Sequence, residues 1–251
     1  MKLLRLLNVL RAMMVSTLLA AASASATTIL PGSETSLQQI ICGLYTDAGT
    51  PCSDAPDVNN DQYGSDELWQ ISGSGGSLAT FIVQIAGLAN QSSFGIYDAS
   101  NPSTRVKLFD GAAGLETGDQ ALVSILADGS VRRNFADTGI DFAGNAFGYY
   151  LAAATTTMFS QMALNGGHDQ MVAFLGDGDP IRIGPYASGP WGMNEFLLAW
   201  EDILGPGSDH DFNDFVAIVE SVSSVPEPTT LALLGLSLLT LGALKRRPTG
   251  T

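Results

Sequence analysis

The side chains best equipped for chemistry are concentrated in one short segment, where Glu201, Asp202, Asp209, Asp211, Asn213 and Asp214 surround a Gly-Pro-Gly turn. Oxygen donors alternate at Asp209, Asp211 and Asn213. With that spacing a tight loop can aim several oxygens at one hard cation while backbone carbonyls complete the shell. Calcium suits so irregular a donor set better than magnesium, which demands a rigid octahedron. The six residues are therefore candidate calcium ligands. An EF-hand is the obvious comparison, with Glu220 at the closing position, but Asp214 stands where the sharp turn wants Gly and residues 215–222 alternate like a strand. Asp and Asn also bond backbone amides in turns without any metal, so both readings stay open.

Nothing else in the chain has the pattern of a catalytic centre. The two histidines, His168 and His210, sit in neither a zinc-protease nor a nucleophile-elbow motif, and the glycines at 73–76 lack the Lys and following helix of a phosphate loop. Carboxylates are plentiful, but abundance does not establish the paired separation that glycoside hydrolysis needs. No catalytic residue is assigned, and the chain is expected to be noncatalytic. Two alternatives remain. Exposed aromatics such as Tyr63, Trp69, Tyr186 or Trp191 could stack on sugar rings in a carbohydrate-binding or adhesive module, although core packing is their ordinary use. A secreted glycan-active enzyme is the other.

The elements that must position these residues lie between two terminal segments of different character. Lys2, Arg5 and Arg11 precede an apolar run over 12–22 and the small residues Ala24-Ser25-Ala26, which is the layout of a signal peptide cleaved by signal peptidase after Ala26. At the other end, Pro226-Glu227-Pro228 precedes an apolar run over 231–244 and the basic cluster Lys245-Arg246-Arg247. The prolines favour an extended segment that a protease cleft can bind, and the apolar run is expected to form a short membrane helix with its basic end on the cytoplasmic side. The domain division expected is a signal peptide over 1–26, an N-terminal extension over 27–76, a β domain over 77–224 and a sorting signal over 225–251.

Between these ends the only basic residues are Arg105, Lys107, Arg132, Arg133 and Arg182, in a chain of formal net charge -14. A surface so acidic cannot replace phosphate counterions, which excludes nucleic acid as a partner. Cys42 and Cys52 lie in a Gly, Pro and Asp-rich stretch. In an oxidising compartment they can form a small-loop disulfide; the other reading is a pair of buried free thiols.

From residue 77 to 222, short runs rich in Val, Ile, Phe, Tyr and Leu alternate with Gly, Asp, Asn and Pro clusters. That spacing predicts an all-β fold, an antiparallel sandwich or jelly roll. Asp128-Gly129 and Asn165-Gly166 are each expected to close a hairpin, residues 215–222 to form one strand and 184–194 an exposed loop. No stretch shows convincing helical periodicity.

Two resemblances bear on function. The order Pro-Glu-Pro, apolar run, basic cluster resembles the PEP-CTERM sorting signal. This implies processing by exosortase, a membrane-embedded protease of Gram-negative bacteria that make extracellular polysaccharide, and placement in the cell envelope, on the surface or outside the cell. The acidic segment resembles the family known as domain of unknown function 4114 (DUF4114): Trp200, Glu201, Asp202, Asp209, Asp211, Phe212, Asn213 and Asp214 match its pattern, and residues 94–98 and 169–174 look like its upstream strands. Ala199 stands where a Gly is common. The resemblance implies an extracellular β-sandwich-like domain and no particular activity. Taken together, these readings make the chain an exported matrix or surface protein, with calcium as its one candidate cofactor and exopolysaccharide as a candidate partner.

Overall fold

A computed structural model of the chain describes residues 26–72, 76–84, 92–111, 114–153, 156–205 and 207–225; the expected signal peptide and sorting helix lie outside these described residues. Residues 26–225 form one compact unit. In chain order its elements are α1 (Leu37–Ala48), β1 (Trp69–Ile71), β2 (Ser77–Gln84), β3 (Ser93–Asp98), β4 (Asn101–Asp110), β5 (Gln120–Ile125), β6 (Ser130–Arg133), β7 (Ala136–Asp141), β8 (Ala146–Ala153), β9 (Thr156–Phe159), β10 (Met171–Leu175), β11 (Pro180–Ile181), β12 (Gly189–Pro190), β13 (Glu195–Trp200), β14 (Phe215–Glu220) and β15 (Val222–Ser224).

The strands form two large antiparallel sheets. One runs β15-β1-β8-β3-β4, with β9 folded back on β8, and the other runs β10-β13-β14-β2-β5-β6-β7. Their facing sides share an aromatic core in which Phe94 of the first sheet lies 4.9 Å from Phe215 of the second, and Trp69 lies 4.7 Å from Phe196. This all-β, antiparallel architecture is that of a sandwich.

The second sheet is apolar on its outer side as well. Along β13, Phe196, Leu198 and Trp200 point into the core between the sheets, whereas Leu197 and Ala199 point into a second cluster with Val172, Phe174, Val216 and Ile218. That outer face is covered by the N-terminal segment, through Ile29, Val58 and the buried stripe Leu37, Ile41, Leu44 and Tyr45 of α1. The helix starts with a capping box, in which Ser36 and Gln39 satisfy each other's backbone N–H groups, and stops at Gly49, whose φ of 86° suits a residue without Cβ. Cys42 of α1 and Cys52 are joined by a disulfide with Cα atoms 4.9 Å apart.

The structure corrects four local expectations. Residues 37–48 are helical, because an amphipathic stripe needs only four buried positions when a sheet face awaits it. The Asp128-Gly129 hairpin forms between β5 and β6, but Asn165-Gly166 closes none. Asn165 is instead buried, with its amide accepting from Phe159 N–H (2.9 Å) and donating to Phe159 C=O (2.7 Å); it takes the place of a neighbouring strand at the end of β9 while the chain crosses to the other sheet. The single strand expected over 215–222 is broken at Ser221, whose φ of 57° turns the chain from β14 in one sheet to β15 in the other. The stretch 184–194 is exposed over much of its length but carries β12, which pairs with β11, and includes Trp191, fully buried with its ring edge-on to Tyr45 at 6.3 Å.

The second core makes a quantitative demand on α1. Ile41→Ala removes a fully buried side chain where the surrounding sheet cannot collapse, and should cost about 2–5 kcal/mol in denaturant unfolding. A loss below about 0.5 kcal/mol would mean that α1 is not part of the folded core.

Candidate metal centre

The acidic segment connects β13 to β14, adjacent strands that pair Trp200 with Phe215. Those two aromatics are buried in the core between the sheets, and Phe212, near the end of the return, is buried in the second core. The loop is thus pinned by apolar side chains at its start and, into both cores, at its end. His210 (φ 58°) and Phe212 (φ 52°) both adopt left-handed backbone, at a strain cost of about 1–2 kcal/mol each. This alternation coils the chain tightly around Asp211.

Three carboxylates converge in this coil. Oxygens of Glu201, Asp209 and Asp211 all lie within 4.8 Å of one another, with Glu201 and Asp211 buried and Asp209 exposed at the mouth. The donors around them are neutral. Glu201 Oε1 accepts from Phe212 N–H (2.8 Å) and Oε2 from the Ser208 hydroxyl, while Asp211 Oδ2 accepts from Asn213 Nδ2 (2.7 Å). Each carboxylate oxygen retains lone-pair capacity beyond these bonds.

The other three sequence candidates have turn-binding roles. Asp214 Oδ2 accepts from Asp202 N–H at 2.8 Å, closing the base of the loop, and Asn213 Nδ2 also donates to Thr35 C=O at 3.0 Å. Asp202 and Asp214 lie outside the converging group. Glu220, the residue an EF-hand would use, ends β14 opposite Glu195.

Several positioning residues carry no sequence signal. The N-terminal strap passes over the coil: Leu30 N–H donates to His210 C=O at 2.8 Å, and a Cβ on Gly32 would collide with Asp211 Oδ2. From the other side, Gln170 C=O accepts from Glu201 N–H (3.1 Å) and Gln170 Nε2 donates to Ile203 C=O (3.0 Å). These contacts join segments far apart in sequence, so spacing within the acidic motif could not reveal them.

Burial raises the pKa of Asp202, of Asp211 to about 6 and of Asp214 to about 8, and the neighbouring charges that raise them further are all acidic, from Glu201, Asp202, Asp209 and Asp211. The arrangement is therefore an acidic cluster with Asp209 exposed and, among the described residues, no basic side chain bonded to it.

The candidate sugar-stacking aromatics are mostly unavailable. Trp69 and Trp191 are fully buried, and Tyr63 is packed between Trp69 and Phe196 with its hydroxyl 2.9 Å from Ser224 Oγ. Tyr186 alone of the four is exposed, with its hydroxyl donating to Gly118 C=O.

Residues 224–247 match the family model of the PEP-CTERM protein-sorting motif. The chain is thereby an exosortase-targeted, secreted protein associated with the cell envelope. No curated protein and no solved structure matches it. Among the described residues no helix is long and apolar enough to cross a membrane.

The raised carboxyls fix the sign of a pH effect in metal-free protein. Folded Asp211 and Asp214 bind protons more tightly than the unfolded chain, whose Asp pKa is near 3.8, so their contribution is complete below about pH 4 and is lost as pH rises through about 6 and about 8. The melting temperature in chelator should therefore fall between pH 5 and pH 9. Asp214→Asn, which can still accept from Asp202 N–H, should flatten the upper half of that decline; an unaltered slope would count against the assignment.

Proposed function

We propose that the exported domain is a noncatalytic component of the cell surface or extracellular matrix of a Gram-negative bacterium, stabilised by calcium and associated with exopolysaccharide. The observation that carries the calcium reading is the convergence of Glu201, Asp209 and Asp211 oxygens within 4.8 Å under neutral donors alone. Two buried carboxylates held so close repel each other, and a divalent cation reverses the sign of that interaction. All-oxygen donors at irregular angles, with Asp209 exposed to admit an ion, suit calcium. The link to exopolysaccharide is supported by the sorting tail, and the DUF4114 resemblance by the residues that form this loop.

The test is thermal melting of the exported protein with calcium and with chelator. Calcium at about a hundred times its dissociation constant should add about 2.7 kcal/mol, a rise of roughly 5–10 °C for a domain of this size. Glu201→Gln and Asp211→Asn should each abolish the rise. If the melting point of the unaltered protein ignores calcium up to millimolar concentration, the loop is an acid-rich turn and the reading is lost.

One observation favours the carbohydrate-binding alternative. Tyr186, Glu195 and Glu220 line a recess of about 200 Å³ on the outer face of the second sheet, where an exposed aromatic stands beside two carboxylates able to accept from sugar hydroxyls. Retention on an exopolysaccharide column that Tyr186→Ala eliminates would establish it.

A further inference from the structure

The residue that follows the expected signal-peptidase cleavage point is seated in a built pocket. Ala26 is exposed, Thr27 is partly buried and Ile29 belongs to the second core. Two amide side chains grip this backbone. Gln62 Oε1 accepts from Thr27 N–H (3.0 Å) and Gln62 Nε2 donates to Thr27 C=O (2.7 Å), and Asn59 does the same for Ile29 at 2.8 and 3.3 Å. The Thr27 hydroxyl donates to Asp169 Oδ2. Asp169 is partly buried just ahead of β10, and its charge is felt by Asp66, which is also partly buried.

Burial raises the pKa of both Asp66 and Asp169, and the charges of Asp169 and Glu67 raise Asp66 further; the hydrogen bonds from Thr27 and Met171 to Asp169 act the other way and favour its charged form. In the uncleaved chain the Thr27 nitrogen is an amide with one hydrogen, already given to Gln62. That nitrogen lies three bonds from an oxygen hydrogen-bonded to Asp169, so covalent geometry keeps it within about 6 Å of the carboxylate.

We propose that the pocket formed by Gln62 and Asp169 is a binding site for a primary ammonium, namely the α-ammonium that cleavage after Ala26 creates on Thr27, so that removal of the signal peptide completes the fold. The step is amide hydrolysis. Water adds to the Ala26 carbonyl, the C–N bond to Thr27 breaks, Ala26 leaves as a carboxylate on the leader, and the Thr27 nitrogen takes up the protons to become an ammonium. One of its three hydrogens keeps the Gln62 bond, and the new positive charge meets the Asp169 carboxylate. Thr27 is thereby fastened ahead of the strap that crosses the acidic loop at Leu30 and Gly32.

The inference rests on signal-peptide cleavage after Ala26, and the experiment separates the two. Mass spectrometry of the exported protein first identifies its N-terminus; a mature chain beginning anywhere but Thr27 overturns the processing reading. The purified protein is then compared with a variant carrying one glycine inserted between Ala26 and Thr27, which displaces the ammonium by a residue and keeps the Ala-Ser-Ala cleavage signal. Labelling of the α-amine at neutral pH should be about tenfold slower on the native terminus, as for an amine whose pKa is raised by about one unit, and the native protein should melt a few degrees higher. Asp169→Asn should erase both differences. A chain that begins at Thr27 yet labels and melts like the glycine variant overturns the pocket.

Discussion

The structure depends on one packing constraint: the second sheet is apolar on both faces and must be covered twice. Strands β10, β13 and β14 read as nearly continuous hydrophobic runs, with buried side chains pointing alternately into the core between the sheets and into the cluster beneath α1. An antiparallel sandwich ordinarily leaves the outer face of each sheet to water. Here Leu197, Val216 and Ile218 would be exposed together if residues 27–76 were removed, so that segment is bound to the sheet by the hydrophobic effect rather than trailing from it. The strap from Leu30 to Thr35, fixed between Ile29 and the capped start of α1, then has to cross the β13–β14 return. The position of the acidic loop follows from the covering of the sheet.

The same packing explains how carboxylates can be held together. At roughly 5 Å and an effective dielectric of about 20, two ionised carboxylates repel by about 3 kcal/mol. Hydrogen bonds to a charged group return about 1.5–3 kcal/mol each, so the bonds from Phe212 N–H and Ser208 to Glu201 offset the repulsion but leave the desolvation of two buried acids uncompensated. What holds the loop against this is the burial of Trp200, Phe212 and Phe215, each a large aromatic with almost no exposed surface. Apolar anchoring on three sides holds an arrangement that electrostatics alone would open.

The sequence was legible where the signal was local. Turn clusters and apolar runs predicted the antiparallel all-β fold, and the Asp128-Gly129 hairpin forms where its residues placed it. Beyond that, what decided the structure was long-range. The Ser36-to-Gln39 capping box, the 37, 41, 44, 45 stripe and Gly49 are all readable signals for α1, but Gly43 within it and a polar intervening face weakened the periodicity below recognition. Asn165-Gly166 has hairpin residues, and Gly166 does adopt positive φ, yet Asn165 serves Phe159 instead because β9 needed a partner at its end. In the acidic segment the residue types declared oxygen chemistry. Which of the six converge depends on the backbone angles of His210 and Phe212, and those follow from the burial of Phe212 under a helix more than 150 residues upstream in a chain of 251.

The chain's destination gives these features a common logic. Its sorting tail commits the domain to the envelope, an oxidising place in which the Cys42–Cys52 disulfide persists and calcium is available at the concentrations weak oxygen sites require. Inside the cell, reducing conditions would leave α1 unstapled; on the proposed calcium and ammonium sites, the Glu201, Asp209 and Asp211 carboxylates would also be uncompensated and the Thr27 nitrogen still an amide. Each of these deficits weakens the same region, the second core and the strap over the acidic loop, rather than the aromatic core between the sheets. With those proposed sites, the outer layer of the fold would be completed only after the chain has crossed the inner membrane. That coupling requires nothing beyond the chemistry of the two sides: thiols that oxidise, carboxylates that meet a cation and an amide that becomes an amine.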